Sequence, residues 1–501
     1  MEPKPEPGLD AEVIVVGAGP AGLTLAGELR LAGVDVTIVE KLPEPTGQSR
    51  GLGFTARTME VFDQRGLLSR FGEIETSSHG HFGGLPLDFG VVEGAHYGAK
   101  NVPQARTEAM LAGWADDLGV KVLRGWEVTG LVQSEDRVDV TVRDTADGGE
   151  RVLSSRYLVG CDGGRSSVRK LADFDFPGTA STMEMFLADV RGVTLRPRMI
   201  GETVANGMVM SGDIGEGITR IIVCERGTPP KRRTEAPAWA EVAAAWQRLV
   251  GEDIQDAEPV WVSAFGDATR QVTEYRRGRV LLAGDAAHIH LPAGGQGMNT
   301  SIQDAANLGW KLAAEVRGWA PPGLLDSYHD ERHPVGVRLL MNTRAQGLLF
   351  LSGSEMQPLR DVITELMRYR EVAAHLVGMV SGLEIRYDVG GETADPVTGL
   401  RLPDHRLVGV HGTTSAFELL HTGKGLLLDY ADDAAPREAV SGYADRLTVC
   451  TGKPDGLFEG HPLGGVGAVL VRPDGHVAWA GRGSAGLAEA LTRWFGAPAT
   501  A

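Results

Sequence analysis

The sequence predicts an α/β fold: a Rossmann-like domain interrupted by an antiparallel sheet and followed by a separate C-terminal unit. Three observations carry this reading. The apolar run at 12–16 leads into Gly17-Ala18-Gly19-Pro20-Ala21-Gly22 and then a helical pattern, the start of a βαβ unit with parallel strands. Two further short apolar runs, 156–160 and 279–283, each feed an aspartate, in Cys161-Asp162-Gly163 and Gly284-Asp285-Ala286-Ala287-His288. Between them, residues 174–268 switch to alternating stretches such as 218–224, the pattern of an antiparallel sheet with two different faces.

The elements follow in order. A helix is predicted over 21–31 and a second strand over 34–39, ending in Glu40. Residues 107–118 read as a helix, and 121–128 and 137–143 as strands. A polar, proline-containing loop spans 227–237, and its Lys231-Arg232-Arg233 run reads as a solvated loop. Helices follow at 301–316 and 324–351, with Pro334 placed to kink the second. In the last hundred residues, strands at 425–430 and 468–472 precede a tight turn, Pro473-Asp474-Gly475, then a strand at 477–480 and a helix at 485–495. The domain boundaries predicted are 1–174 for the first part of the nucleotide-binding domain, with a pocket-lining segment at about 75–104. A middle sheet domain at 175–275, the second part with its helices at 276–392, and the C-terminal unit at 393–501 complete the division.

A chain of 501 residues exceeds what one core organises, and 42% apolar with 23% charged residues is ordinary for a soluble globular protein. The net charge of −17 argues against nucleic acid or an anionic membrane as partner. Cys161, Cys224 and Cys450 are scattered, so neither a disulfide framework nor a thiolate metal site is indicated. Residues 1–10 are Pro- and Glu-rich, a frayed end rather than a signal peptide, and no apolar run reaches the length of a bilayer span. The compartment expected is the cytoplasm.

Gly17 permits the tight turn, Gly19 lets the backbone approach a pyrophosphate, and Gly22 lets helix and strand pack closely. Pro20 and Ala21 open the helix whose N-terminus then faces the phosphates. Glu40, 18 residues beyond Gly22, is placed to accept hydrogen bonds from an adenosine ribose, with Lys41 beside it. This motif alone leaves FAD and NAD open. Asp162 and Asp285 close that choice, because carboxylates at the ends of two further parallel strands suit the ribityl chain of a flavin. After Asp285, Pro292-Ala293-Gly294-Gly295-Gln296-Gly297-Met298-Asn299 forms a turn into the helix starting at Ser301. The amides of this turn, notably around Pro292, Gly295, Gly297, Met298 and Asn299, would face the flavin pyrimidine edge and stabilise negative charge there. The cofactor expected is FAD.

These segments, together with Tyr157-Leu158-Val159-Gly160-Cys161-Asp162-Gly163-Gly164-Arg165-Ser166-Ser167-Val168-Arg169, the run from Gly278 to His288, and Tyr328-His329-Asp330-Glu331-Arg332-His333-Pro334, resemble the class A flavoprotein aromatic hydroxylases. Within that family the chain is most similar to bacterial hydroxylases of angucycline- and anthracycline-type polyketides. The resemblance covers nearly the whole chain, and the tail resembles the thioredoxin-like C-terminal domain of larger members. It implies an arginine near the flavin pyrophosphate at Arg50, a glutamine near the ribityl chain at Gln104, and a role for Asp162 toward both FAD and NAD(P)H. No second glycine fingerprint follows, so NADPH is implied as a transient co-substrate that binds over the flavin.

The reaction implied is oxygen transfer from O2, through a flavin C4a-hydroperoxide, to a hydrophobic polycyclic aromatic substrate in antibiotic biosynthesis. Baeyer–Villiger insertion, antibiotic inactivation, and a flavin-binding ligand carrier without turnover are the alternatives. A homo-oligomer is compatible with the sequence. The glycines from 294 to 297 would allow the flavin motion known in the family. His288 and His290 lack further ligands at metal spacing, and Cys161 reads as a buried thiol. Cys450 has no CxxC partner, which speaks against redox chemistry in the tail. His79 and His81, in a glycine-rich stretch, border the expected substrate cavity with their roles open.

Overall fold

The computed structural model describes residues 8–391, 395–410, 412–455, 457 and 461–499. Most of the frayed N-terminal end expected at 1–10, and the boundary expected between 392 and 393, lie outside the described residues. The fold is mixed α/β. Its principal sheet has the order Arg276–Arg277, Val280–Leu282, Tyr157–Gly160, Val13–Val16, Val36–Glu40 and Lys121–Arg124. All neighbours are parallel except the short edge strand Arg276–Arg277. The central strands are uniformly apolar because they are buried throughout, as Val13–Val16 and Val280–Leu282 show. Helix Pro20–Leu31 packs between helices Gln104–Asp117 and Gln296–Val316.

Three differences from the sequence reading have local causes. The single strand predicted at 121–128 is two. Lys121–Arg124 belongs to the parallel sheet, whereas Trp126–Gln133 pairs with Val138–Asp144 in a three-stranded antiparallel sheet. Gly125 lies between them at φ +77°, a left-handed turn that a continuous strand cannot contain. The helix expected from Ser301 starts five residues earlier, at Gln296, directly after left-handed Gly295. Glycines that read as a loop are therefore the cap and first turn of the helix. The long helix Ser327–Leu351 runs on through Pro334.

The middle region forms a five-stranded antiparallel sheet, in the order Arg198–Val204, Gly207–Asp213, Thr219–Glu225, Glu184–Arg191, Glu258–Gly266. Helix Trp239–Val250, which the sequence reading lacks, covers one face, with Trp246 fully buried against Val209, Ile221 and Val223. The alternate residues Met208, Ile222 and Cys224 face the other way, toward Leu291, Ala293 and Phe350. The basic run at 231–233 is not simply a solvated loop. Arg233 bridges Glu184 at 2.7 Å and Glu241 at 2.7 Å, and Lys231 also reaches Glu241, so the run clamps this loop to sheet and helix.

The last strands form a four-stranded mixed sheet, Leu447–Thr451, Gly425–Asp429, Ala468–Val471, Val477–Gly481, with helix Leu487–Phe495 beyond it. Its turn Pro473-Asp474-Gly475 is docked into the first domain. Arg57 and Arg65 donate to the carbonyls of Asp474 and Pro473, each at 2.8 Å. Fully buried Arg472 pairs with Glu331 at 2.5 and 2.8 Å and with Asp474. Lys311 donates to the same Glu331 at 2.7 Å. Burial opposes ionisation of Glu331, yet Arg472 and Lys311 outweigh it and hold that carboxyl down to about 2. Burial likewise pulls Lys311 down to about 8, despite Glu331. Arg472→Ala strands two buried carboxylates, so a loss of about 3–5 kcal/mol is expected. It is read as a lower denaturant midpoint for the transition that includes the C-terminal sheet.

Candidate functional site

Parallel register brings the three glycine–aspartate segments to one edge. Val16 pairs with Gly160 and with Val39, and Gly160 pairs with Leu282. Glu40, Gly17, Asp162 and Asp285 thus leave adjacent strands, about 4.8 Å apart, at their carboxyl ends. Gly17 donates its amide to Val39 at 2.8 Å and holds φ at +104°. A Cβ on Gly17 would lie 2.5 Å from the Cys161 carbonyl oxygen, and one on Gly22 2.0 Å from the Gly17 oxygen. Gly19 has nothing within 4 Å of the same position, so the turn is crowded toward the protein and open where a phosphate would approach. Pro20 and Ala21 begin the helix. Burial pushes the Cys161 thiol pKa upward, in keeping with a packing role.

Glu40 accepts from the Ala18 amide at 2.7 Å and the Leu42 amide at 2.8 Å, which aims its carboxylate across the mouth of the turn. Lys41 is exposed beside it. Asp162 accepts from the amides of Ser167 and Val168 through Oδ2, at 2.6 and 3.2 Å. Its other oxygen, Oδ1, is buried with no partner, an orphaned acceptor of the kind a ligand hydroxyl would satisfy. Asp285 is exposed, with Gly297 close to it. Arg50 is exposed, and Gln104 accepts from the Gly51 amide at 3.4 Å while donating to Glu108 at 2.7 Å. Met298 lies over Gly51, so the Arg50 loop, Gln104 and the helix start converge. Asn299 accepts from the Thr55 amide at 2.9 Å and donates to the Gly295 carbonyl at 2.8 Å. Pro292 and Gly295 stay exposed at the rim. Helix Gln296–Val316 leaves its first amides without intrahelical partners, pointing out of its N-terminus beside Asp285.

Several residues that hold this edge carried no motif. Asp304, fully buried, accepts from the Gly284 amide at 3.2 Å, from Arg332 at 2.7 Å and pairs with His288 at 2.8 Å. Among the described residues His288 is thus committed to a carboxylate, and His290 bonds the Leu291 carbonyl. Arg169 donates to the carbonyls of Ala286 and Gly164, each at 2.8 Å, tying the two aspartate segments together. Arg220, paired with Asp189 at 2.7 Å, also reaches the carbonyls of Ser49 and Arg50 from the middle sheet. Arg169, His288 and Arg332 lie within the motif segments, whereas the only sequence signal of Asp304, Asp189 and Arg220 was charge inside apolar elements, which a motif search ignores.

The apolar face bearing Met185, Met208, Met210 and Cys224 lies against Leu291, Ala293 and Phe350, next to the turn at 292–299. A separate cavity of about 760 Å³ lies on the other side of that turn, between Asn299, Asn342, Val380, Tyr387 and Trp494. Glu40, Asp162 and Asp285 do not line it, whereas Thr55, Gln296 and Asn299 do, so it meets the edge only at the helix start. The edge itself fits a long dinucleotide with a polyhydroxyl chain: a phosphate turn, three carboxylates in line, and a helix N-terminus at the far end.

Comparison with known proteins agrees. The FAD binding domain family matches residues 10–343, and the family Aromatic-ring hydroxylase, C-terminal, matches 395–498. CabE, an aromatic hydroxylase from angucycline biosynthesis, is 64% identical with a TM-score of 0.95, over 98% of this chain and 100% of that one. OxyS anhydrotetracycline hydroxylase from Streptomyces rimosus is 39% identical with a TM-score of 0.91, over 98% and 100%. Rifampicin monooxygenase of Streptomyces venezuelae is 44% identical over 97% of this chain and 99% of its own length. A matched FAD binding domain, a matched C-terminal domain and relatives 64% and 44% identical over nearly the whole chain lead to one conclusion: this chain belongs to the FAD-dependent aromatic-ring hydroxylases.

Proposed function

We propose that this flavoprotein hydroxylates a phenolic, polycyclic aromatic polyketide, taking electrons from NADPH and oxygen from O2. The substrate class rests on similarity to polyketide hydroxylases, and the buried methionine-rich cluster beside the flavin-side turn is the kind of adaptable apolar packing that suits it. The 64% identity to an aromatic hydroxylase of angucycline biosynthesis supports the same class. Bound FAD supplies the two-electron reduction and the activation of O2. The protein's share is binding, orientation and exclusion of water. Gly17, Gly19, Pro20, Ala21 and Gly22 take the pyrophosphate, and Glu40 with Lys41 the adenosine ribose. Arg50 and Gln104 border the phosphate and ribityl regions, and Asp162 and Asp285 take ribityl hydroxyls. Pro292, Gly295, Gly297, Met298 and Asn299 frame the pyrimidine edge, where helix-terminal amides favour negative charge.

The domain division at 174/175, 275/276 and 392/393 is part of this reading, supported by membership of the parallel and five-stranded sheets. A thioredoxin-like tail is supported by its strand order, in which the first two strands are parallel neighbours and the third runs antiparallel between the first and fourth. A cytoplasmic location rests on the net charge of −17 and on helices none of which, among the described residues, is long and apolar enough to cross a membrane.

On the substrate side, exposed His79 and half-buried His81 part company. The His81 ring stacks on Phe350, with centroids 6.1 Å apart, and its Nδ1 accepts from the Gly84 amide at 3.3 Å. Burial, helped by Lys100, lowers His81 from its ordinary 6.5 to about 4. The side chain is therefore neutral near pH 7, with Nε2–H free to donate to a substrate oxygen.

Purified protein should be yellow, and an angucyclinone, anthracyclinone or simple phenol should stimulate its NADPH oxidation and gain one oxygen by mass, with NMR separating hydroxylation from ring insertion. No substrate-stimulated oxidation across that panel overturns the proposal. Asp285→Ala should weaken FAD about tenfold or more, as loss of a charge-assisted hydrogen bond does, measured by flavin fluorescence on dilution. For His81 the unfolded chain binds the proton at higher pH than the folded one, so its effect on stability rises from about pH 4 to 6.5 and then levels off. The difference in unfolding free energy between wild type and His81→Gln should show that slope across the window, because the other buried histidines contribute equally to both proteins.

A further inference from the structure

The hairpin formed by His79–Phe82 and Leu85–Asp88 turns at Gly83 and Gly84, at φ +56° and +85°. A Cβ on Gly83 would lie 2.9 Å from the Leu349 Cβ, and one on Gly84 2.7 Å from the Phe350 ring, so the tip lies flush on helix Ser327–Leu351. From this tip a line of primary amides crosses the interior. The Gly83 amide donates to Gln346 Oε1 at 3.1 Å, and Gln346 Nε2 donates to Asn342 Oδ1 at 2.9 Å. Asn342 Nδ2 then donates to Gln296 Oε1 at 2.8 Å, and Gln296 Nε2 to the Ala293 carbonyl at 3.1 Å.

Gln296, Asn342 and Gln346 are 3%, 1% and 0% exposed, although the first two also border the cavity of about 760 Å³. Every link runs in the same sense. Reversing one amide would set donor against donor and acceptor against acceptor, which fixes the orientation of all three. Leaving one buried amide unsatisfied costs about 1–3 kcal/mol, so neighbouring links resist separation. The far end of the line is the pliable segment of the site, where Gly294 and Gly295 sit at φ +69° and +65°. Gly294 also passes close to Gln346, since a Cβ there would be 3.4 Å from Oε1.

We propose that Gln346, Asn342 and Gln296 are positioning residues that make the flavin-side turn at 292–297 follow the substrate-side hairpin at 79–88. An aromatic ligand seated under the hairpin would steady the turn, and an empty hairpin would leave it freer. The proposal rests on the reading of 292–299 as the flavin's pyrimidine-side frame.

Hydrogen–deuterium exchange on the FAD-loaded enzyme tests it, with peptides covering 79–88 and 291–299. Gly83→Ala, whose Cβ meets Leu349 on the facing helix, lifts the hairpin tip and its link to Gln346 while touching nothing in 291–299. It should speed exchange at 291–299 about threefold to tenfold, the effect of one hydrogen bond, while 301–316 stays as in wild type. Asn342→Leu, which loses its bond to Gln296 in the turn but has none to the hairpin, should loosen 79–88 as well as 291–299. If either variant does not fold, Gln346→Glu keeps the acceptor for Gly83, removes the donor to Asn342, and should show the same pattern. The underlying reading is checked separately: FAD added to stripped wild type should protect 291–299, and no protection would overturn that reading. Protection by FAD, with exchange at 291–299 unchanged in Gly83→Ala, would overturn the relay.

Discussion

The parallel register of Val13–Val16 between Val36–Glu40 and Tyr157–Gly160 is the constraint on which the site depends. Strand ends in a parallel sheet all point one way, so four segments drawn from between residues 17 and 285 share one rim. A slip of two residues in any pairing would carry Asp162 or Asp285 several ångströms off the line. Close packing enforces the register: Gly17 and Gly22 have no room for a Cβ against the Cys161 carbonyl and the Gly17 oxygen. The glycine turn is therefore as much a packing device as a phosphate cradle.

Behind that rim, charge is buried in a connected row. Asp304 links the Gly284 amide, His288 and Arg332, while two turns further along the helix Lys311 meets Glu331, which Arg472 joins to Asp474. Such groups are costly to remove from water and stable only when every partner is present. The consequence is specificity of docking. The C-terminal sheet inserts the Pro473-Asp474-Gly475 turn at one place on the helices that also shape the flavin side. This gives the tail a structural role that needs no cysteine chemistry.

Much of the fold was legible because its signals are local. The glycine turn, the strand–aspartate junctions, and the change to alternating residues after 174 each occupy a few consecutive positions. Where the reading failed, the deciding fact was a backbone angle or a distant partner. Gly125 at φ +77° divides one apparent strand between two sheets, and Gly295 at φ +65° starts a helix where glycines suggested a loop. Arg233 reads as solvated until Glu184, 49 residues away, is found beside it. Helix Trp239–Val250 was hidden because its apolar face answers a sheet face that the sequence did not locate.

The sequence by itself located the glycine turn and the strand-end aspartates, because such turns and junctions require particular residues at particular spacings: Gly17, Gly19, Gly22, Asp162 and Asp285. Only tertiary structure decided what faces the edge they form. The methionine face at 185, 208 and 210, the neutral ring of His81, and the amides of Gln296, Asn342 and Gln346 come from four separate stretches of chain. Their side chains are common ones with no fixed spacing, and they acquire a shared purpose through packing alone.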